Sequence, residues 1–155
     1  MPELALVTLA QASDAREIAE MSRDMIEDGL TWAWTPARVQ QFMASKDSSV
    51  IVSRRERKIV AFALMHFGDD TAHLNLLAVA PGFRRQGLGR QLVEWLCASA
   101  LEAGVSRINL ELRASNLDAQ AFYAALRFER QSLKHGYYQG REAALRMSRR
   151  LGRLT

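Results

Sequence analysis

A single cysteine, Cys97, stands in the 155 residues, so no disulfide can form within the chain and a reducing compartment is expected. With three histidines beside it, the sequence also lacks the Cys/His set of a structural zinc site, and no metal is expected. No stretch approaches 18 consecutive apolar residues, which argues against a membrane-spanning helix. The first residues lack the basic-then-apolar pattern of a signal peptide, so the cytoplasm is the expected location. Low-complexity linkers and internal repeats are absent too, and residues 1–155 read as one domain, large enough for a real core. The net charge of +4 comes without a helix-turn-helix, zinc-finger or RNA-binding aromatic pattern, so nucleic acid is not the expected partner. Arg54, Arg55, Arg57 and Lys58 read as a solvated hairpin turn, and Arg146, Arg149, Arg150 and Arg153 as a basic tail.

What the chain does have is a globular composition, 48% hydrophobic and 25% charged, and one unusual loop. The apolar run Leu74-Asn75-Leu76-Leu77-Ala78-Val79-Ala80 is closed by the turn pair Pro81-Gly82. Then come Arg84-Arg85-Gln86-Gly87-Leu88-Gly89-Arg90. From Leu88 onward Leu92, Leu96 and Ala100 recur every fourth residue, with Val93 and Cys97 beside them, the spacing of one helix face. A strand therefore feeds a basic, glycine-bearing loop that opens into a helix. Helix starts carry free N–H groups and the positive dipole end, and glycines let an anion approach, so the loop is suited to phosphate. A P-loop would need Lys and Ser/Thr after Gly89, where Arg90 and Gln91 stand. A dinucleotide fingerprint would need a small residue where Leu92 stands. Cys97 falls on the core face of the helix and reads as a packed thiol.

Downstream, Val105, Ile108, Leu110 and Leu112 alternate with polar neighbours up to Arg113, which predicts a strand after the helix-ending Gly104. Ser115 with Asp118 three residues on has the form of a capping box, predicting a helix through Phe122 and Tyr123 that breaks before Phe128. The hexapeptide Arg84-x-x-Gly87-x-Gly89 resembles the acyl-CoA pyrophosphate loop of the GNAT N-acetyltransferase superfamily, and the subsequent strand–Asn–helix–Tyr order resembles the second half of that core. Leu110 to Asn116, Ala121-Phe122-Tyr123, Tyr137-Tyr138 and Gly140-Arg141-Glu142 are similar more particularly to the bacterial ribosomal-protein N-alpha-acetyltransferases. The resemblance covers residues 74 to 148; before that, only the element order matches.

The resemblance implies acetyl-CoA as acetyl donor and a primary amine as acceptor. Backbone groups of Leu77, Ala78 and Val79 would pair with the pantetheine arm where neighbouring strands splay, and Val79 would polarise the thioester carbonyl. Arg84, Arg85, Gln86, Gly87, Leu88, Gly89 and Arg90 would surround the pyrophosphate, and Asn116 would bond the pantetheine arm. Glu111 would be the general base. From the residues alone, a carboxylate interrupting an apolar strand must face a wet cleft or a partner, and the alternative is pairing with Arg113 or another cation. Tyr123 would protonate the departing thiolate; the alternative is an ordinary helix aromatic. Tyr137 and Tyr138 either line the acceptor mouth or pack an edge strand. Trp32 and Trp34 either floor an acceptor pocket or staple the first helices to the sheet.

Along the whole chain, Leu4 to Leu9 reads as a strand. Ser13 or Asp14 caps a helix to about Ile26, with Ala15, Ile18, Ala19 and Met21 as its apolar stripe. Thr35 caps a second helix beginning at Pro36, with Val39, Phe42 and Met43 inward. Strands come next at about 49–54, 58–66 and 72–79, and after the second helix pair at 129–134 and 142–148. The order βααβββαβαββ predicts an α/β domain, a mixed sheet with helices on both faces. As to the acceptor, an α-amine titrates near 8 and a lysine near 10.4, a gap of about 3 kcal/mol that favours a protein N-terminus. A lysine or small-molecule amine remains an alternative, as does a non-catalytic acyl-CoA-binding module, against which the presence of both Glu111 and Tyr123 argues. Oligomeric state is not legible.

Overall fold

The computed structural model describes residues 6–138 and 142–152. Seven strands form one sheet: β1 (Val7–Leu9), β2 (Ser48–Arg55), β3 (Lys58–Phe67), β4 (Thr71–Val79), β5 (Arg107–Arg113), β6 (Glu129–Tyr138) and β7 (Glu142–Arg150), in the spatial order β1-β2-β3-β4-β5-β7-β6. Four helices complete the order read from the sequence: α1 (Ala15–Met25), α2 (Pro36–Ala44), α3 (Leu88–Glu102) and α4 (Leu117–Ala125). All neighbouring strands run antiparallel except β4 and β5, which are parallel and joined through α3. Leu4 and Ala5 of the expected first strand lie outside the described residues.

Helices cover both faces because the strands present apolar residues on both. On one face Ala63, Met65, Ile108, Leu110, Leu145 and Met147 pack with Leu92, Leu96 and Ala100 of α3 and Tyr123 of α4. On the other, Val50, Val52, Phe62 and Leu64 meet Ile18 and Ala19 of α1 and Val39 of α2. The helix starts arise from local chemistry. The Thr35 hydroxyl accepts from the Arg38 N–H at 3.4 Å, and Pro36 occupies the first helical position, where its missing N–H costs nothing. Cys97 is buried on the α3 core face, and that burial pushes its thiol up, so it is an inert packing group.

Three expectations are corrected. The cap of α4 is Asn116, whose Oδ1 accepts from the Ala119 N–H at 3.1 Å. Ser115 instead donates its hydroxyl to Glu142. The two residues are adjacent and both good cappers, so the pattern alone picked the wrong one. The basic turn is not merely solvated, because Arg54 binds Asp14 at 2.5 Å and ties the sheet to the entry of α1. Nor is the basic C-terminal stretch a tail: Arg146, Arg149 and Arg150 lie in β7, where Arg146 meets Glu111 and Arg149 meets Glu94. Arg153 lies outside the described residues.

The feature that shapes the site is a β-bulge. Met65 pairs with Leu74 and Leu64 with Leu76, which leaves Asn75 as an extra residue in β4. Such an extra residue switches the faces to which the later side chains of its strand point. Before it Ala72 and Leu74 enter the α3/α4 core; after it Leu76 and Ala78 enter the α1/α2 core, and Leu77 and Val79 turn toward α3. At the same point the parallel partner is lost. The β4/β5 ladder runs from Thr71/Arg107 to Leu74/Leu110 and stops. Beyond it, Leu77, Ala78 and Val79 have β3 as their one strand partner among the described residues, and the two strands splay.

Candidate active site

The mouth of this gap gathers the chain's polar chemistry. Ile108, Leu110 and Leu112 point into the α3/α4 core, so by strand alternation Asn109, Glu111 and Arg113 face the opposite side. Glu111 is the first β5 residue past the last β4 pairing, at the vertex of the splay. Its Oε1 accepts from Arg146 Nε at 3.1 Å, across the register pair Glu111/Arg146. Its Oε2 lies 2.9 Å from His73 Nε2 on β4. The carboxylate is 14% exposed and opens on a cleft of ≈170 Å³ lined also by Ser132, Lys134, Ala144 and Arg146. The expected alternative partner, Arg113, is engaged elsewhere: it donates to the carbonyls of Ile26 and Asp28 at 3.0 and 2.7 Å, fastening the end of α1.

The close contact with His73, first, and the charge of Arg146 hold the Glu111 carboxyl below the usual glutamate range, against the opposing effect of burial. Glu111 is thus fully ionised at neutral pH, always ready to accept a proton but holding one weakly. Because its folded value is depressed, its contribution to stability is complete above the ordinary glutamate range near 4.3 and is lost as the pH falls through the lower folded value.

Tyr123 sits on the other face. Its ring is 8% exposed and meets Phe122 and Phe128 edge-on, at centroid distances of 5.0 and 5.4 Å. Glu111 and Tyr123 therefore flank the sheet from opposite sides, and the β4/β5 gap is the opening between those sides. At its vertex the Asn75 Oδ1 is buried without a hydrogen-bond partner among the described residues, an acceptor suited to an amide-bearing ligand.

The phosphate-loop candidates lie at the far end of β4. After a single 3₁₀ turn, Pro81–Phe83, residues 84–87 lead into α3, whose N-cap Gly87 has φ +84 and supplies no side-chain cap. The first-turn N–H groups of Leu88, Gly89 and Arg90 have no partner within the helix. Arg85 also has a positive φ, +64, a combination that makes successive backbone N–H groups converge on an anion. Arg84, Arg85, Gln86 and Arg90 are exposed around it, and Arg84 Nε donates to the Val79 carbonyl at 3.0 Å, tying the loop to the strand edge. The two glycines do different things. A Cβ on Gly87 would meet nothing within 4 Å, whereas one on Gly89 would stand 2.9 Å from Phe122 Cζ. Gly89 is small so that α3 can pack on α4; Gly87 supplies the left-handed turn. Asn116 spends its side-chain oxygen on the α4 cap.

Among the described residues no three metal-ligating side chains gather. A strand edge bonded on one side, an uncapped helix start ringed by arginines and an orphaned amide oxygen together fit a long ligand with a polyanionic end and an amide-bearing arm. The Trp32–Trp34 loop is a staple. Glu27, 7% exposed, accepts from the N–H groups of Ala33 at 2.6 Å and Trp34 at 3.2 Å and from Ser22 Oγ at 2.8 Å. Trp32 Nε1 donates to the Ala19 carbonyl, and Trp34 meets Phe42 edge-on beneath the Arg38 guanidinium. Glu27→Ala removes a buried anchor with three donors, and a loss of about 3 kcal/mol is expected in denaturant unfolding; a loss under about 0.5 kcal/mol would show the loop to be held by the tryptophans alone.

Residue patterns missed His73 and Arg146, the two groups that hold Glu111. The only sequence signal was that each alternates with apolar neighbours on its strand. Tyr137, Tyr138, Gly140 and Arg141, as side chains, lie outside the described residues.

The family described as "Acetyltransferase (GNAT) family" matches residues 17–128 of the chain. A ribosomal protein bS18-alanine N-acetyltransferase of Escherichia coli is 42% identical over 94 residues, 59% of this chain and 64% of that relative. The chain thus spans less than two thirds of the length of the curated relatives it matches first. The crystal structure of the ribosomal-protein-S18-alanine N-acetyltransferase from Escherichia coli superposes with a TM-score of 0.81 at 28% identity, over 98% of this chain and 97% of that one. Ard1 from Thermoplasma volcanium shares the fold, with a TM-score of 0.86 at 22% identity over 96% of this chain and 99% of that one.

Proposed function

Because the chain belongs to the GNAT family of acetyltransferases, we propose that it transfers the acetyl group of acetyl-CoA to a primary amine, and first of all to the α-amine of a protein N-terminus. The observation that carries this is the vertex of the β4/β5 splay, with a charged carboxylate on one side of the sheet and a buried tyrosine on the other. Acetyl-CoA supplies an acyl thioester when bound. Arg84, Arg85, Gln86, Gly87, Leu88, Gly89 and Arg90 hold its pyrophosphate, and the edge of Leu77, Ala78 and Val79 away from β3 holds its pantetheine arm. Asn116 is left to its cap. Glu111 draws a proton from the incoming ammonium, directly or through one water in the cleft, and Tyr123 gives a proton to the leaving sulfur. A carboxylate as weakly basic as Glu111 copes better with an α-ammonium near 8 than with a lysine near 10.4. The E. coli relative that acts on a ribosomal-protein alanine supports the N-terminal reading. Such work places the protein in the cytoplasm, and no helix among the described residues is long and apolar enough to cross a membrane.

The acceptor is tested by tracking thiol release with acetyl-CoA and a panel of amines: peptides with a free N-terminal alanine, N-terminally blocked lysine peptides, and polyamines. The free α-amine peptides are expected to give the highest kcat/KM. Faster turnover of blocked lysine peptides or polyamines would reassign the acceptor without touching the cofactor.

The loop has its own test. Gly87→Asp suits the left-handed N-cap position better than most residues and caps the α3 start with a carboxylate. Folding should survive while acetyl-CoA affinity falls at least tenfold, on the scale of roughly 10-fold or more for charged hydrogen bonds. Parental affinity in calorimetry would remove the loop from the cofactor site. Gly89→Asp is the poorer probe, since its side chain strikes Phe122 before it meets any ligand.

A further inference from the structure

Glu111 is gripped from both neighbouring strands, and only one of the two hands is an arginine. Arg146 reaches Oε1 from β7, and His73 reaches Oε2 from β4. A single donor leaves a carboxylate free to swing about its last torsion; the buried Oε2 has the His73 Nε2 against it at 2.9 Å, and a group held there from the other side limits that swing. We propose that His73 is a positioning residue for Glu111, holding the carboxylate at the vertex of the β4/β5 gap in the orientation from which it takes the acceptor's proton. This rests on the assignment of Glu111 as base.

The choice of imidazole has a chemical consequence. A second arginine would fix the plane equally well but would add a permanent positive charge and weaken the base further. An imidazole makes the contact without a permanent charge. The surroundings keep cations numerous and anions few. From β3, His66 stands in register with His73. On β5, Arg107 bonds the Ser148 hydroxyl and Arg113 is spent on the end of α1. Arg146 and Arg150 share the β7 face, and Lys134 of β6 lines the cleft. Among these groups His73 is the one placed 2.9 Å from Oε2, and that neighbour is the largest influence holding the Glu111 carboxyl low.

The experiment is a double-mutant cycle with kcat and a carboxyl titration as readouts. His73→Leu should bind acetyl-CoA as the parent does, lose roughly tenfold in kcat, and let the Glu111 carboxyl, monitored by ¹³C NMR, titrate at higher pH. His73→Gln, which restores a polar amide at the right reach, should recover most of the rate. His73→Leu combined with Glu111→Gln should be no slower than Glu111→Gln alone, because the lost action runs through the same carboxylate. Parental kcat in His73→Leu, an additive double variant, or an unmoved Glu111 titration overturns the proposal. The base assignment fails separately, if Glu111→Gln itself turns over at the parental rate. Should His73→Leu not fold, His73→Asn, polar but too short to reach Oε2, takes its place with the same expected results.

Discussion

Tyr123→Phe is expected to lower kcat by roughly 10²- to 10⁴-fold, the range for losing a positioned acid, while leaving acetyl-CoA affinity unchanged. The substitution deletes one oxygen and keeps the ring, and the ring is what Phe122 and Phe128 hold. The fold should therefore survive, and a melting curve close to the parent's checks that. The reason for a large effect is the leaving group. A thiolate expelled beside the apolar side chains packed around Tyr123 is poorly stabilised as an anion, and thiols titrate near 8.5. Below that pH the departing sulfur needs a proton; above it, expulsion as the anion becomes tolerable. The deficit should accordingly be greatest near neutrality and shrink above about pH 9. An unchanged kcat would remove Tyr123 from the chemistry and leave solvent as the acid.

Glu111→Gln should cost roughly 10²-fold or more at pH 7, with a defect that narrows as the pH rises through the acceptor's pKa. Below that pKa the amine is mostly ammonium and must shed a proton before it can attack; above it, solvent has already delivered the neutral form. Glutamine keeps an oxygen for Arg146 and nearly the same shape, so the sheet at this point should stay intact. Single-turnover measurements across pH separate the chemical step from product release. A fold-loss that is flat across pH would make Glu111 a structural anchor for β4, β5 and β7, a role its bonds to His73 and Arg146 also equip it for.

The parts legible from sequence were those fixed by near neighbours. The α3 face comes from a four-residue recurrence, the α2 start from Thr35-Pro36, and the phosphate loop from a strand running through glycines into a helix. Parts fixed by distant partners were not. The Asn75 bulge left no mark, because Leu74 and Leu76 alternate as if they shared a face, and only the pairing with β3 shows that they do not. His73 meets Glu111 through a strand pairing that closes over α3, so a lone histidine on a polar strand face carried no signal. Arg146 read as part of a basic tail because its strand partner is 35 residues away. The role of Trp32 and Trp34 depends on Glu27, which pins the loop through Ala33 and Trp34. The proposed catalytic pair was identified by resemblance to a family; its placement on opposite sides of one gap came from the fold.

The most direct test is to incubate the protein with acetyl-CoA and a peptide bearing a free N-terminal alanine and no lysine, then measure free thiol and acetylated peptide together. The expected result is that the two rise in equal amounts, with the acetyl group on the α-amine by fragment mass spectrometry. Tight acetyl-CoA binding with no acetylation of this peptide or of any amine in the panel would contradict catalysis and leave an acyl-CoA-binding module.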